Sequence, residues 1–219
     1  MKHYTVAILG TGVVGVALAK GFIAAGHKVI FGTRTPAGEK ASSALAEVPG
    51  ATAASHPEAA DAADLAVIAL PWSAVAGTLS AGMASALAGK VVIDATNPLD
   101  FSAGVPVLAL GHTDSAGETV QRLLPGARVV KAFNIITAGK MVRPHFDAGQ
   151  ADMFIAGNDE QAKGSVAEIL RHFGWRGPID LGGIEQSRLL EPLAMIWITY
   201  GFRHQHWSHG FSLLGQQAS

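Results

Sequence analysis

Short apolar runs alternate with longer, half-polar stretches from the N-terminus to about residue 134. Residues 4–9, 28–31, 65–70, 91–94 and 129–133 are mostly β-branched or apolar and are bounded by Gly, Pro or polar turns. Such runs predict buried strands, with a weaker one at 51–54. The intervening stretches predict helices at 13–25, 37–47, 57–62, 73–87 and 115–124. Strands that are apolar on both faces and separated by helices predict an α/β fold, a parallel sheet covered on both sides. Right-handed crossovers make such a sheet doubly wound. Beyond residue 134 the pattern loosens. Strands are expected at 153–156 and 178–181 with a helix at 159–173 between them, then a strongly apolar helix from 186 to about 200. The tail, 201–219, is rich in His, Trp and Phe. No linker or repeat divides the chain, so the second half is expected to extend the sheet and cover it.

Composition narrows the possibilities. The 219 residues are 49% hydrophobic and 15% charged, enough for one α/β core. Sixteen basic and 17 acidic residues leave a net charge of −1, and without a basic face there is no electrostatic case for a nucleic-acid partner. The absence of Cys excludes disulfides, thiolate metal sites and thiol nucleophiles. The chain enters a strand-like run directly after Met1-Lys2-His3, so no signal peptide is expected and the location reads as cytoplasmic. The longest apolar stretch, 193–202, is interrupted by Thr199 and Gly201 and is too short to span a bilayer, so no membrane partner is expected.

Candidate chemistry begins at Gly10-Thr11-Gly12-Val13-Val14-Gly15, a GxGxxG turn between the first strand and the first helix. In that setting Gly10 permits a tight turn, Gly12 lets backbone approach a pyrophosphate, and Gly15 lets helix and strand pack closely. Free N–H groups and the positive end of the helix dipole favour the phosphates. A Rossmann-type dinucleotide domain is therefore expected over 1–134, with 135–219 as a C-terminal extension that completes the cleft. The second strand ends Phe31-Gly32-Thr33-Arg34-Thr35, with no carboxylate until Glu39. An NAD site usually places Asp or Glu there for the ribose hydroxyls. A guanidinium instead suits a 2′-phosphate, with Thr33 as a neutral donor, so NADP(H) is the expected cofactor. Lys40 either adds a second charge or is a solvated helix residue. Two more strand ends, Leu70-Pro71-Trp72 and Thr96-Asn97-Pro98, fall where cofactors bind in open α/β sheets, although both are also ordinary turn chemistry.

Taken together, these residues resemble the family of NADPH-dependent reductases of the deazaflavin coenzyme F420. The likeness runs almost end to end. It includes the glycine turn, Gly32-Thr33-Arg34, Pro71-Trp72, residues 129–138, and Gln186-Ser187-Arg188-Leu189-Leu190-Glu191 opening the late helix. The resemblance implies a Rossmann domain with a smaller C-terminal part, a homodimer, and a nicotinamide lying against the deazaflavin. It implies that Gly10, Thr11, Gly12, Val13, Val14 and Gly15 hold the pyrophosphate, that Thr33, Arg34 and Lys40 hold the 2′-phosphate, and that Ile136, Thr137 and Ala138 border the nicotinamide. Two positions depart: Asn134 stands where the family often has His, and Thr137 where it has Pro. In this respect Val130-Lys131-Ala132-Phe133-Asn134 is more similar to the cytosolic reductase domain of membrane ferric reductases, which passes hydride to an ordinary flavin.

No Ser-Tyr-Lys cluster or His–carboxylate pair nominates a catalytic residue. Hydride transfer between planar rings needs alignment more than a protein acid or base. Lys131 reads as an orienting or surface lysine, and otherwise as a carbonyl polariser. His204, His206 and His209 beside Trp207 favour aromatic packing over a metal site. Arg188 and Glu191, three apart, are expected to pair locally. The helix from Gln186 is apolar around most of its circumference, which calls for cover by a second copy, with Trp207 and Phe211 near that partner or roofing the nicotinamide cleft. The functional expectation is NADPH-dependent reduction of F420 or a flavin. A small carbonyl or imine reductase and a non-catalytic NADP sensor are the alternatives.

Overall fold

The apolar runs become the centre of the sheet. The computed structural model describes residues 3–215; Met1-Lys2 and the tail positions 216–219 lie outside them. The first half contains β1 (Thr5–Leu9), α1 (Val13–Ala24), β2 (Lys28–Thr33), α2 (Glu39–Glu47), β3 (Thr52–Ser55), α3 (His56–Ala62) and β4 (Leu65–Ile68). It continues through α4 (Trp72–Thr78), α5 (Ala81–Ala86), β5 (Val91–Asp94), a small hairpin of β6 (Leu99–Asp100) and β7 (Val107–Leu108), α6 (Ala116–Leu123) and β8 (Arg128–Lys131). The second half contains β9 (Met153–Gly157), α7 (Glu160–His172), β10 (Pro178–Asp180) and α8 (Ser187–His204).

Among the described residues the main sheet runs β10-β9-β8-β5-β4-β1-β2-β3. From β3 to β8 this is the doubly wound order, with the switch point between β1 and β4. Alternation along β1 shows why both faces are apolar: Val6 and Ile8 enter one core with Phe22 of α1 and Phe173, while Ala7 and Leu9 enter the other with Met83 of α5 and Val120 of α6.

Four expectations need correction. The sheet is not parallel throughout, because β8 pairs with β9 antiparallel. No α-helix lies between those two strands, only a 3-10 turn at Ala138–Lys140. The chain therefore starts β9 at the edge where β8 ended, whereas α7 returns it to make β9–β10 parallel. The helix expected at 73–87 is two, because Ser80 adopts extended backbone as the N-cap of α5 and Thr78 and Ser80 favour ends over interiors. The late helix runs four residues past Tyr200, to His204. Gly201 does not end it, since the Trp207 ring lies 2.5 Å from where a Cβ would stand and occupies the space glycine leaves. The β6–β7 hairpin has no counterpart among the predicted elements.

The tail folds back over its own helix. Trp197 and His209 stack with ring centroids 4.5 Å apart, and each ring nitrogen bonds the other residue's carbonyl. Asp152 at the foot of β9 bonds the Phe211 carbonyl and the Leu213 amide. The tail thus covers Trp197, while Leu189, Ile196, Tyr200 and Phe202 of α8 stay exposed. No described helix is long and apolar enough to cross a membrane.

Candidate functional site

The carboxyl ends of β1, β2 and β4 open into a cleft of about 1030 Å³. It is bordered by Gly10, Thr11, Gly12 and Val13 of the glycine turn, Thr33, Arg34 and Lys40 beyond β2, Leu70 and Pro71 beyond β4, and Ala138 from the 3-10 turn. The three glycines have different reasons to be glycine. Gly10 has φ +119, and a Cβ there would meet the Ala69 carbonyl at 2.3 Å. At Gly15 a Cβ would lie 2.3 Å from the Gly10 carbonyl, so this glycine is needed for helix to meet strand. Gly12 has an ordinary φ of −79 and would meet nothing within 4 Å. The fold does not require glycine at position 12, and the open side is the cleft. A pyrophosphate at van der Waals distance from backbone fits there. Gly12 is also the N-cap of α1 with no side chain capping it, and the first turn carries no acidic residue. A helix start of this kind leaves N–H groups at the cleft that favour an anion.

At the other wall the guanidinium of Arg34 and the ammonium of Lys40 have no hydrogen-bond or ion-pair partner among the described residues. Glu39, Ser43 and His56 share this wall. None of the three is evident from the glycine motif. The Ser55–Glu58 capping box is the local signal for His56, since it starts a helix at a strand end beside β2. Lys20 and Glu47 pair at 2.8 Å on the rim.

The remaining site residues read from the sequence stand outside the cleft lining. Val14 packs on the core and Gly15 on Gly10, for the helix turns both inward. Trp72 opens α4 and packs against the second core. Ile136 is buried in the first core, and Thr137 stands at the N-cap position of the 3-10 turn without a capping side-chain bond. Asn97 and Asn134 bind one another: Asn97 Nδ2 donates to the Asn134 carbonyl at 2.8 Å, and Asn134 Nδ2 donates to Asn97 Oδ1 and the Leu190 carbonyl, each at 3.0 Å. Phe133, buried and held at φ +64, turns the chain sharply off β8 to present Asn134.

Beneath that pair lies a charge cluster. Lys131 is neither a surface lysine nor free to polarise a substrate. It is fully buried and donates to Asp94 Oδ2 (2.9 Å), the Thr96 carbonyl (2.7 Å) and Glu191 Oε1 (2.9 Å). Glu191 also accepts the amides of Ala116 and Gly117 at the start of α6. Arg188 therefore does not pair with Glu191, and reaches Glu118 of α6 instead, with Nε to Oε2 at 2.8 Å. Burial acts to lower the Lys131 pKa, but the two carboxylates overcome it and hold it above the usual lysine value. A second cleft, about 780 Å³, lies between the loop after β7 and the start of α8, bordered by Leu108, His112, Arg188, Leu189 and Pro192. The histidines of the tail form no metal-binding cluster among the described residues.

A doubly wound sheet with a glycine turn and an open cleft at its switch point defines a Rossmann-type dinucleotide-binding fold. Residues 5–98 match the family model described as NADP oxidoreductase, coenzyme F420-dependent. The F420-dependent NADP reductase of Methanothermobacter thermautotrophicus is 32% identical over 208 residues, 90% of this chain and 88% of that protein. The chain belongs to this family of NADP-dependent oxidoreductases. A crystal structure of a putative F420-dependent NADP reductase from Arthrobacter sp. FB24 superposes with a TM-score of 0.91 at 37% identity, covering 97% of this chain and 100% of that one. The rat metalloreductase STEAP3 is 29% identical over 87% of this chain, which spans only 36% of that protein.

Proposed function

We propose that this protein passes hydride from NADPH to a planar deazaflavin or flavin, with coenzyme F420 as the preferred acceptor. The observation that carries this reading is the open Gly12 backbone facing the unpaired Arg34 across one cleft. When bound, NADPH supplies hydride, one proton with two electrons, and the reduced acceptor takes its second proton from water. The chain's own residues bind and align. Gly10, Thr11, Gly12, Val13 and the start of α1 receive the pyrophosphate. Thr33, Arg34 and Lys40 receive the 2′-phosphate, and Leu70 and Pro71 flank the adenosine side. Asn97 and Asn134, locked together, brace the segment Ile136-Thr137-Ala138 beside the nicotinamide. The acceptor ring enters from the second cleft, against Leu189 and Pro192. Support for the acceptor comes from the Methanothermobacter relatives, whose name states F420 dependence. A reductive aminase of Aspergillus terreus in complex with NADPH is 26% identical, but this chain covers 64% of it. The buried, triply bonded Lys131 argues against a carbonyl-polarising role here. NADPH oxidation followed against F420, FMN, FAD, a ferric chelate and a cyclic imine tests the reading. F420 is expected to be turned over fastest, and turnover of the imine alone, or of nothing, sinks it.

A homodimer is proposed on separate grounds. Leu189 and Ile196, 61% and 60% exposed, share α8 with exposed Tyr200 and Phe202, more apolar surface than one helix ordinarily leaves in water. Light scattering at micromolar concentration should give twice the 22.6 kDa chain mass. A single-chain mass would end this proposal.

A further inference from the structure

His56 stands at the start of α3, directly after β3, and borders the same cleft as Thr33, Arg34 and Lys40. Ser55 and Thr33 are register partners on β3 and β2, so His56 and Arg34 are the first residues beyond two paired positions. The backbone of His56 lies 3.4 Å from the point a Cβ on Gly32 would occupy. The Ser55–Glu58 capping box fixes how the chain leaves the strand. The imidazole is half-buried, and no described residue hydrogen-bonds it.

We propose that His56 is a ligand of the cofactor's 2′-phosphate and takes up a proton as NADPH binds, so that discrimination against NADH sharpens as pH falls. The proposal rests on the NADP(H) reading of Arg34. Charged groups sharing the cleft with the ring are Arg34, then Glu39 and Lys40 of α2, with Lys20 of α1 and Glu47 of α2 paired on the rim. On its own helix Glu58 is engaged by Ser55, and Asp61 lies at the opposite end. Burial, and then the nearby Arg34 cation, hold the His56 pKa below the ordinary histidine value. A phosphate between the two cations would cancel that repulsion and favour the protonated ring. The group's pKa is then higher in the complex than in the free protein, so binding takes up a proton and tightens as pH falls. Below about pH 6 the phosphate dianion itself takes up a proton and works the opposite way. The window to examine is therefore about pH 6.5–8.5.

The test is the dissociation constant of NADPH and of NADH across that window, for the unaltered protein and for His56→Gln. NADPH binding by the unaltered protein should weaken roughly tenfold from the acid to the alkaline end, the size of one charge-assisted hydrogen bond. NADH binding should stay flat, and in His56→Gln both should be flat. An NADPH-specific slope that persists in His56→Gln overturns the proposal. So does an equal loss of both dinucleotides, the signature of a ring packing on the adenosine they share. A preference for NADPH with no slope removes His56 alone, whereas equal affinities in the unaltered protein overturn the NADP(H) reading as well. NMR titration of the His56 ring needs no variant. Its pKa should rise with NADPH and not with NADH, and a ring unmoved by NADPH rejects the assignment.

Discussion

Replacing Lys131 with Met should lower the unfolding free energy by about 3–5 kcal/mol, because it strands two buried carboxylates that face one ammonium. Against a total of roughly 5–15 kcal/mol, that is a large part of the stability. The melting temperature should fall by roughly 6–20 °C, since each kcal/mol is worth about 2–4 °C in a chain of this size. The Lys131 cation ties β5, β8 and α8 together, and Glu191 extends the tie to the amides opening α6. Its loss should therefore loosen the whole carboxyl edge of the sheet under Asn97 and Asn134. The pH dependence has a definite sign. Lys131 has a raised pKa in the folded protein, so its contribution is fully present below the unfolded value of about 10.4 and is lost as pH rises through the folded one. The unaltered protein should lose this increment only in strong alkali, and Lys131→Met should lack it. An unfolding free energy for Lys131→Met, from denaturant titration, within about 1 kcal/mol of the unaltered protein would mean that the cluster is dispensable.

Arg34→Ala should abolish the preference for NADPH while leaving NADH affinity nearly unchanged. Each charge-assisted bond to phosphate is worth about 1.5–3 kcal/mol, or roughly ten- to a hundredfold in affinity. Arg34 has no internal partner among the described residues, so its removal breaks no contact that the fold needs. Gly12→Ala provides the contrast. The added methyl meets no protein atom, so the fold should survive, yet it intrudes on the pyrophosphate and should weaken both dinucleotides alike. Calorimetric titration distinguishes the two patterns. Equal affinity for NADPH and NADH in the unaltered protein would defeat the reading of Arg34, and normal binding by Gly12→Ala would reduce the glycine turn to a structural feature.

What was legible in the chain was local. Apolar runs bounded by turn residues locate β1, β2, β4, β5 and β8, because a strand buried on both faces has little freedom in composition. The turn from Gly10 to Gly15 is readable because three glycines at that spacing mark a backbone pattern: Gly10 takes a positive φ, Gly15 packs on Gly10, and Gly12 stays open to the cleft. Arg34 is readable because the end of β2 has one geometric relation to that turn. Other features depend on which strands and helices become neighbours. Lys131 and Asp94 are 37 residues apart, and Arg188 and Glu118 are 70 apart; helical spacing instead suggested a local Arg188–Glu191 pair. The antiparallel β9 follows from a connection without a crossover helix. His56 enters the cleft only because β3 lies beside β2. Periodicity and turn chemistry record which side of an element must be buried and where the chain must bend. Which buried charge meets which is decided by close packing between distant segments, where a lysine left unpaired would cost several kcal/mol and so must find its carboxylates wherever the fold has brought them.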